Sequence, residues 1–231
     1  KPFIFYNYRN DFTSMFGIAY ELGHAVNAIK AKEKNPYQTF HYDNVVSEIA
    51  SLTNEFTLAN VLLKESKDKE EKISILRRMI SLFLINVFEA IKRAEFEKTL
   101  HELNANGEGI TSNKANEIYM NINKKYEGNN IVFDESFQYN WLNIIHLYFG
   151  YYNFQYSIGL LVAAKISKDI TNGDKFALDN YMKFLEIGGS KYTADAIKEL
   201  GIDIEKTDFI EDALTYFESL VNKYGELILQ K

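Results

Sequence analysis

Cysteine is absent from the 231 residues, so the fold cannot depend on disulfide bonds and needs no oxidising compartment. We therefore expect the protein in the cytoplasm. Long apolar runs are also lacking: the longest, residues 79–91, is interrupted by Ser81, Asn86 and Glu89 and is too short to cross a bilayer, so we expect no membrane partner. An excess of positive charge is missing as well, because 26 basic and 32 acidic residues give a net charge of −6. This balance argues against a nucleic-acid partner.

Proline is scarce, and its scarcity favours helices. Only two prolines occur in the chain, and apolar residues recur at i, i+3 and i+4 over long stretches, which together predict a mainly α-helical fold. Residues 3–8 alternate like one short strand, which we interpret as an edge remnant of a small sheet. With no internal repeat and no low-complexity linker, residues 1–231 are predicted to form a single domain.

Capping residues, apolar spacing and glycine breaks predict the helices one by one. They cover about residues 11–32, 43–64, 69–104, 112–126, 154–170, 176–187 and 208–229. On the first helix, the residues predicted to face the core are Phe12, Phe16, Ala19, Leu22, Gly23, Val26 and Ile29. On the third helix, they are Phe83, Leu84, Val87 and Phe88. The residues predicted to end the fourth helix are Gly128, Asn129 and Asn130.

Residues 20–24 read Tyr-Glu-Leu-Gly-His and differ at one position from the His-Glu-x-x-His motif of zinc peptidases. In the intact motif, two histidines four residues apart leave the same face of a helix and bind one zinc ion, while the glutamate acts on the metal-bound water. Glu21 and His24 are present here, but Tyr20 stands at the first ligand position. A tyrosine phenol keeps its proton until about pH 10. We therefore expect weak or absent zinc binding.

Glu48 lies at a suitable distance downstream to supply the third ligand from a second helix. Both residues also have structural interpretations. His24 on a half-apolar helix can be a core histidine with satisfied hydrogen bonds, and Glu48 can be a surface glutamate that favours a helix start. The combination of Glu21, Gly23 and Glu48 favours an ancestral metal position. His41 and His101 show no partner spacing and receive no role.

Six segments resemble, in order and spacing, the oligoendopeptidase F branch of the thimet oligopeptidase family. These segments are residues 2–8, 19–26, 47–55, 93–101, 141–156 and 181–190. The resemblance covers essentially the whole chain and implies a zincin-like catalytic domain. It also implies a zinc-dependent metalloendopeptidase that cuts short, unstructured peptides inside a deep channel. The sequence begins at Lys1 within a segment that resembles the middle of the family's sequence, so we expect a C-terminal fragment whose partner is the N-terminal part of the same protein.

The resemblance also implies roles for individual residues. The zinc ligands would be His24 and Glu48, the general base Glu21, and the groups that hold the substrate carbonyl and its oxyanion His146, Tyr152 and Tyr156. Without the resemblance, the histidine and the two tyrosines would be interpreted as aromatic packing or groove lining.

Three positions depart from the family's pattern. Tyr20 stands where the family has a ligand histidine, Asn27 where it often has another histidine, and Phe154 where it usually has a tyrosine. Two hypotheses follow. The chain belongs either to a zinc oligopeptidase with a degenerate metal site or to a pseudoenzyme that keeps a peptide-binding or purely structural helical domain.

Overall fold

The computed structural model describes residues 1–128 and 131–229, and over these ranges the protein is mainly α-helical, as predicted. Nine α-helices lie in the described residues: α1 Phe12–Lys34, α2 Asn44–Glu65, α3 Lys69–Phe83, α4 Ala90–Ala105, α5 Ser112–Glu127, α6 Asn153–Thr171, α7 Lys175–Phe184, α8 Thr193–Lys198 and α9 Asp208–Leu229. None of these helices is long and apolar enough to cross a membrane. The fourth predicted helix ends at Glu127, before Gly128 with a φ of 65°, while Asn129 and Asn130 lie outside the described residues.

The strand predicted for residues 3–8 is wrong. These residues are exposed and carry no regular secondary structure, and no strand occurs anywhere in the described part of the chain. The alternating pattern alone is not sufficient, because a strand needs a neighbouring strand to accept and donate its backbone hydrogen bonds.

The chain forms two compact units. The first unit contains residues 1–84 together with the chain from Ile158 onward, and the second contains Ile85–Ser157. In the first unit, Phe83 contacts the rings of Phe56 and Phe217 with centroid distances of 5.8 and 4.9 Å. In the second unit, Phe96 forms a core with Tyr119 and other apolar residues. That residues 1–231 form a single domain stays a prediction.

The predicted helix over residues 69–104 is interrupted. A π-helical turn, Leu84–Glu89, lies between α3 and α4. The wider i to i+5 spacing of such a turn shifts the buried face. As a result, Phe83 and Val87 are buried as predicted, whereas Leu84 is exposed.

Helices α1 and α2 each begin with an aspartate cap. Asp11 accepts a hydrogen bond from the Ser14 amide, and Asp43 accepts one from the Val45 amide. Each cap satisfies an amide that has no partner inside its helix. The two caps define where the helices start and therefore which side chains α1 and α2 present to each other.

The contact face of α1 is narrower than predicted. Its buried residues include Ala19, Gly23, Asn27 and Ala31, which repeat every four residues, as well as Ser14 and Phe16. The larger side chains predicted to be inward are instead exposed, namely Phe12, Leu22, Val26 and Ile29. Small residues repeated on one face allow two helices to approach closely.

Candidate active site

Helices α1 and α2 approach closely at Gly23. A Cβ atom added there would lie 2.5 Å from the Cα of Ser51 and 2.7 Å from the Ala50 carbonyl oxygen. On another side of α2, a Cβ added to Gly159 of α6 would lie 2.9 Å from the Cβ of Glu48. Glycine at these two positions lets α1 and α6 pack closely against α2 beside Glu48. Side chains on α1 can therefore contact side chains on α2 directly.

Tyr20 and Glu48 are joined by a hydrogen bond across this contact. The Tyr20 hydroxyl donates to Oε2 of Glu48 at 2.6 Å, and Glu48 is only 6% exposed. Burial raises the pKa of Glu48 above its ordinary value of 4.5, and the hydrogen bond from Tyr20 opposes that rise. The negative charge of Glu21 adds to the rise. A carboxylate predicted to be a metal ligand therefore already has a short hydrogen bond from the side chain at the substituted position.

His24 lies beside Tyr20 and makes a separate contact with α2. The two rings meet edge to face with centroids 4.7 Å apart, as expected for residues four apart on one helix face. Nδ1 of His24 and Oγ of Ser47 are 2.8 Å apart and share a hydrogen bond whose donor depends on the tautomer. Burial lowers the pKa of His24, while the charge of Glu21 and a hydrogen bond with the Ser47 backbone act to raise it.

Ser47 was not singled out from the sequence. It precedes Glu48 by one residue, and its contact with His24 becomes apparent only once α1 and α2 are seen to pack together at Gly23. A polar side chain one residue before a candidate ligand is the only sequence signal. In the structure, the Ser47 hydroxyl contacts Nδ1 of His24 and not the other ring nitrogen, Nε2.

The conventional metal ligands near Tyr20 are few. Within residues 1–128 and 131–229, no group of three or more His, Cys, Asp or Glu side chains is arranged to hold a metal ion. Catalytic zinc sites use three protein ligands and leave a fourth position for water. Two of the three expected ligand positions hold conventional zinc ligands, His24 and Glu48. The third holds Tyr20, whose hydroxyl donates a hydrogen bond to Glu48.

His146, Tyr152 and Tyr156 form one aromatic cluster inside the second unit. His146 belongs to a short 3₁₀ helix, Ile145–Phe149, Tyr152 immediately precedes α6, and Tyr156 lies in the first turn of α6. The His146 ring stacks on Tyr152 with centroids 5.1 Å apart, and it meets Tyr156 edge to face at 5.7 Å. The structure thus brings together the three residues for which the resemblance implied a shared role. That they face Glu21 stays a prediction.

The two remaining departures from the family's pattern occupy different environments. Asn27 is fully buried on α1 and donates from Nδ2 to the Leu185 carbonyl oxygen at 3.2 Å. Its Oδ1 atom has no hydrogen-bond partner among the described residues. Phe154 is partly exposed on α6. Asn27 therefore acts as a link between α1 and the segment that follows α7.

Comparison with known proteins gives a consistent result. The model of "Peptidase family M3" matches residues 1–216. The chain is 34% identical over 228 residues to the chromosomal oligoendopeptidase F of Lactococcus lactis subsp. cremoris. The aligned region covers 99% of this chain and 38% of that protein. It is also 34% identical over 230 residues to oligopeptidase PepF of Bacillus subtilis (strain 168), covering 100% of this chain and 34% of that protein.

A solved structure shows the same fold similarity. The crystal structure of oligoendopeptidase-F from Enterococcus faecium matches with a TM-score of 0.84 and 32% sequence identity. The match covers 95% of this chain and 40% of that chain. The sequence therefore spans less than half the length of each of these three relatives.

Proposed function

The chain belongs to peptidase family M3, and we propose that it carries the metal-binding part of an oligopeptidase for short peptides in which the zinc site is degenerate. The names of the relatives, oligoendopeptidase F and oligopeptidase PepF, support peptides as the substrate class. The proposed partners are short peptides and the remaining part of the same protein, because the relatives are more than twice as long as this chain. The proposed location is the cytoplasm.

The hydrogen bond from Tyr20 to Glu48 is the observation that carries the proposal. A zinc ion bound by His24 and Glu48 would have to share the Glu48 carboxylate with the Tyr20 hydroxyl, which donates to Oε2 at 2.6 Å. The phenol would have to lose its proton to serve as a third ligand, although an ordinary phenol does so only near pH 10. The residues present therefore do not fit a catalytic zinc centre, which uses three protein ligands and one water. Loss of a direct ligand weakens metal binding by more than the roughly 10–100-fold typical of outer-shell losses.

The other candidate residues have proposed roles other than binding the metal. His146, Tyr152 and Tyr156 are side chains with hydrogen-bond donors, clustered by ring stacking in the second unit. Their proposed role is to donate hydrogen bonds to a carbonyl oxygen of a bound peptide. Glu21 is proposed to be the general base, the role implied by its place in the motif.

The pseudoenzyme is the second candidate function, and the same hydrogen bond favours it. In this alternative, the Tyr20–Glu48 contact replaces the metal as a link between α1 and α2, and the peptide groove is retained without hydrolysis. The two functions differ in one property, which is whether a bound peptide is cut.

A short peptide carrying a fluorophore and a quencher separates the candidates. Zinc-stimulated cleavage that Glu21→Gln abolishes would support a residual peptidase. Binding seen by fluorescence anisotropy, without cleavage at any zinc concentration, would support the pseudoenzyme. If the peptide is neither bound nor cut by the chain, even when Tyr20→His is introduced, then the proposed function is wrong for the chain as it stands. Glu70→Gln is a matched control, because Glu70 is exposed on α3 and has no assigned role.

A further inference from the structure

A small cavity in the second unit contains a buried carboxylate. The cavity has a volume of about 140 Å³. Its lining includes the buried residues Phe96 and Glu97 of α4, the half-buried Trp141, and the exposed residues His101 and Tyr148. None of these five residues has a role in the proposed peptidase site. The inference below therefore does not depend on the proposed function.

Glu97 lies in the cavity with only one of its carboxylate oxygens occupied. Its side chain is 4% exposed. Oε1 accepts a hydrogen bond from the Tyr151 amide at 2.5 Å, and the same oxygen lies 3.9 Å from Nε2 of His101. Oε2 has no hydrogen-bond partner among residues 1–128 and 131–229. A buried carboxylate oxygen without a donor is costly, because it has lost water and gained nothing in return.

Aromatic side chains line the same cavity as this carboxylate, and contacts with neighbouring residues hold them in place. The Trp141 indole donates to Oδ1 of Asn116 at 2.8 Å and lies 5.8 Å from the Phe96 ring, centroid to centroid. The His101 ring stacks on Tyr151, the residue whose amide binds Glu97. Aromatic faces attract organic cations through the negative potential above each ring. The cavity therefore combines aromatic faces with a buried carboxylate, and both attract a cation.

We propose that this cavity binds a primary ammonium group on a short hydrocarbon chain, with one ammonium hydrogen donated to Oε2 of Glu97. A metal ion is a poorer fit, since no group of three or more His, Cys, Asp or Glu side chains that could hold one occurs in the described residues. A guanidinium group is also a poorer fit, because it pairs best with both oxygens of a carboxylate and the Tyr151 amide occupies one of them. An ammonium group needs only one carboxylate oxygen.

The cavity volume limits the size of the ligand. A cavity of roughly 150 Å³ is known to hold a molecule the size of benzene, so about 140 Å³ accommodates an alkyl chain of a few carbons with its ammonium. Two sources offer this chemistry, namely a free alkylamine and the side chain of a lysine in a peptide. Both place a flexible hydrocarbon against Phe96 and Trp141 and a charged end at Glu97.

The fluorescence of Trp141 provides the test, because it is the only tryptophan in the chain. The probes are n-butylammonium, n-butylguanidinium and uncharged n-butanol, each titrated into the full chain. We expect a saturable change with n-butylammonium, and binding weaker by about tenfold or more for the two others. Saturable binding of n-butanol as tight as that of n-butylammonium would overturn the proposal, because the cavity would then recognise only the hydrocarbon. Binding of the guanidinium as tight as that of the ammonium would also overturn it.

Two peptides distinguish the source of the ammonium. They are acetyl-Ala-Lys-Ala-amide and the same peptide with norleucine in place of lysine. Binding of the lysine peptide with no binding of n-butylammonium would identify a peptide side chain as the ligand and support the proposal. Binding of both would support the proposal with a free amine as a sufficient ligand. No preference for lysine over norleucine, together with no ammonium binding, would overturn it.

A matched pair of variants tests the role of the carboxylate. Glu97→Gln keeps an oxygen for the Tyr151 amide and removes the charge, so ammonium binding should weaken by about tenfold or more. Glu117→Gln makes the same change on the exposed face of α5 and should bind as the unaltered protein does. Unchanged binding in Glu97→Gln would contradict the proposal. If that variant unfolds, two comparisons on the unaltered chain still decide, namely n-butylammonium with n-butanol and the lysine peptide with the norleucine peptide.

Discussion

The substitution Tyr20→Phe removes the hydroxyl group that donates to Glu48 and leaves the ring in place. The acceptor oxygen lies 2.6 Å from the hydroxyl, on a side chain that is 6% exposed. Removing one partner of a buried hydrogen bond leaves the other unsatisfied, which costs about 1–3 kcal/mol of unfolding free energy. We therefore expect Tyr20→Phe to lower the free energy of unfolding, measured by urea denaturation, by an amount in this range.

The stability lost in Tyr20→Phe should also depend on pH. Burial raises the folded-state pKa of Glu48 above its ordinary value of 4.5. The folded protein therefore binds more protons than the unfolded chain between these two pKa values, and stability falls as pH rises through this interval. The Tyr20 hydrogen bond lowers the raised pKa, so its removal should raise the pKa of Glu48 further. Tyr20→Phe should accordingly cost more stability at neutral pH than at a pH below 4.5.

A double-mutant cycle with Glu48→Gln isolates the contact. Once the acceptor is neutral, removing the hydroxyl should cost less than it does beside the carboxylate, since hydrogen bonds to charged groups are the stronger ones. An equal cost of Tyr20→Phe in both backgrounds, at every pH, would refute the reasoning. It would mean that the Tyr20–Glu48 contact adds no coupling energy.

Three further predictions concern the same pair of helices. Tyr20→His should raise the melting temperature in added zinc, because a ligand that binds only the folded state stabilises it. If differential scanning fluorimetry shows no zinc-dependent shift in this variant, the result would count against the proposal that Tyr20 replaces a lost zinc ligand. Gly23→Ala should cost about 1–3 kcal/mol in urea denaturation, because the new Cβ would lie 2.5 Å from the α2 backbone. Gly225→Ala, which meets nothing within 4 Å, serves as its control and should be neutral or stabilising. Ser47→Ala removes the hydroxyl whose Oγ lies 2.8 Å from Nδ1 of His24, so it should shift the pKa of His24 in an NMR titration, and an unchanged pKa would rule out that contact in solution.

The helices were largely predictable because local signals define them. Asp11 and Asp43 cap α1 and α2 at the predicted places, and α9 runs from Asp208 to Leu229 at the predicted ends. Such signals depend on residues a few positions apart in the sequence. The start of a helix is therefore a local property that the sequence alone can indicate.

The packing of α1 was predicted incorrectly because packing depends on its neighbour. Apolar spacing placed Leu22, Val26 and Ile29 in the core, but each is exposed. The face that α1 buries is formed largely by small residues such as Ala19 and Gly23, which allow the α2 backbone to approach. Hydrophobicity alone gives a large side chain more weight than a glycine, and close packing of two backbones reverses that order.

The candidate site was partly predictable. The four-residue spacing of Tyr20 and His24 places their rings together, and Glu48 lies on the next helix as expected. The hydrogen bonds of these side chains could not be predicted, because they depend on how α1 and α2 cross. Likewise, His101 received no role from the sequence, although Glu97 precedes it by four residues on the same helix face. That spacing is the signal that would have pointed to the cavity.

Anomalous scattering at the zinc absorption edge, from crystals of the unaltered protein and of Tyr20→His grown in the same zinc concentration, tests the degenerate metal site most directly. The account predicts a zinc peak bonded to His24, Glu48 and the new histidine in the variant. In the unaltered protein, it predicts no peak there and an intact hydrogen bond from Tyr20 to Glu48. A fully occupied zinc bonded to His24 and Glu48 in the unaltered protein, with the Tyr20 hydroxyl displaced from Glu48, would contradict the account.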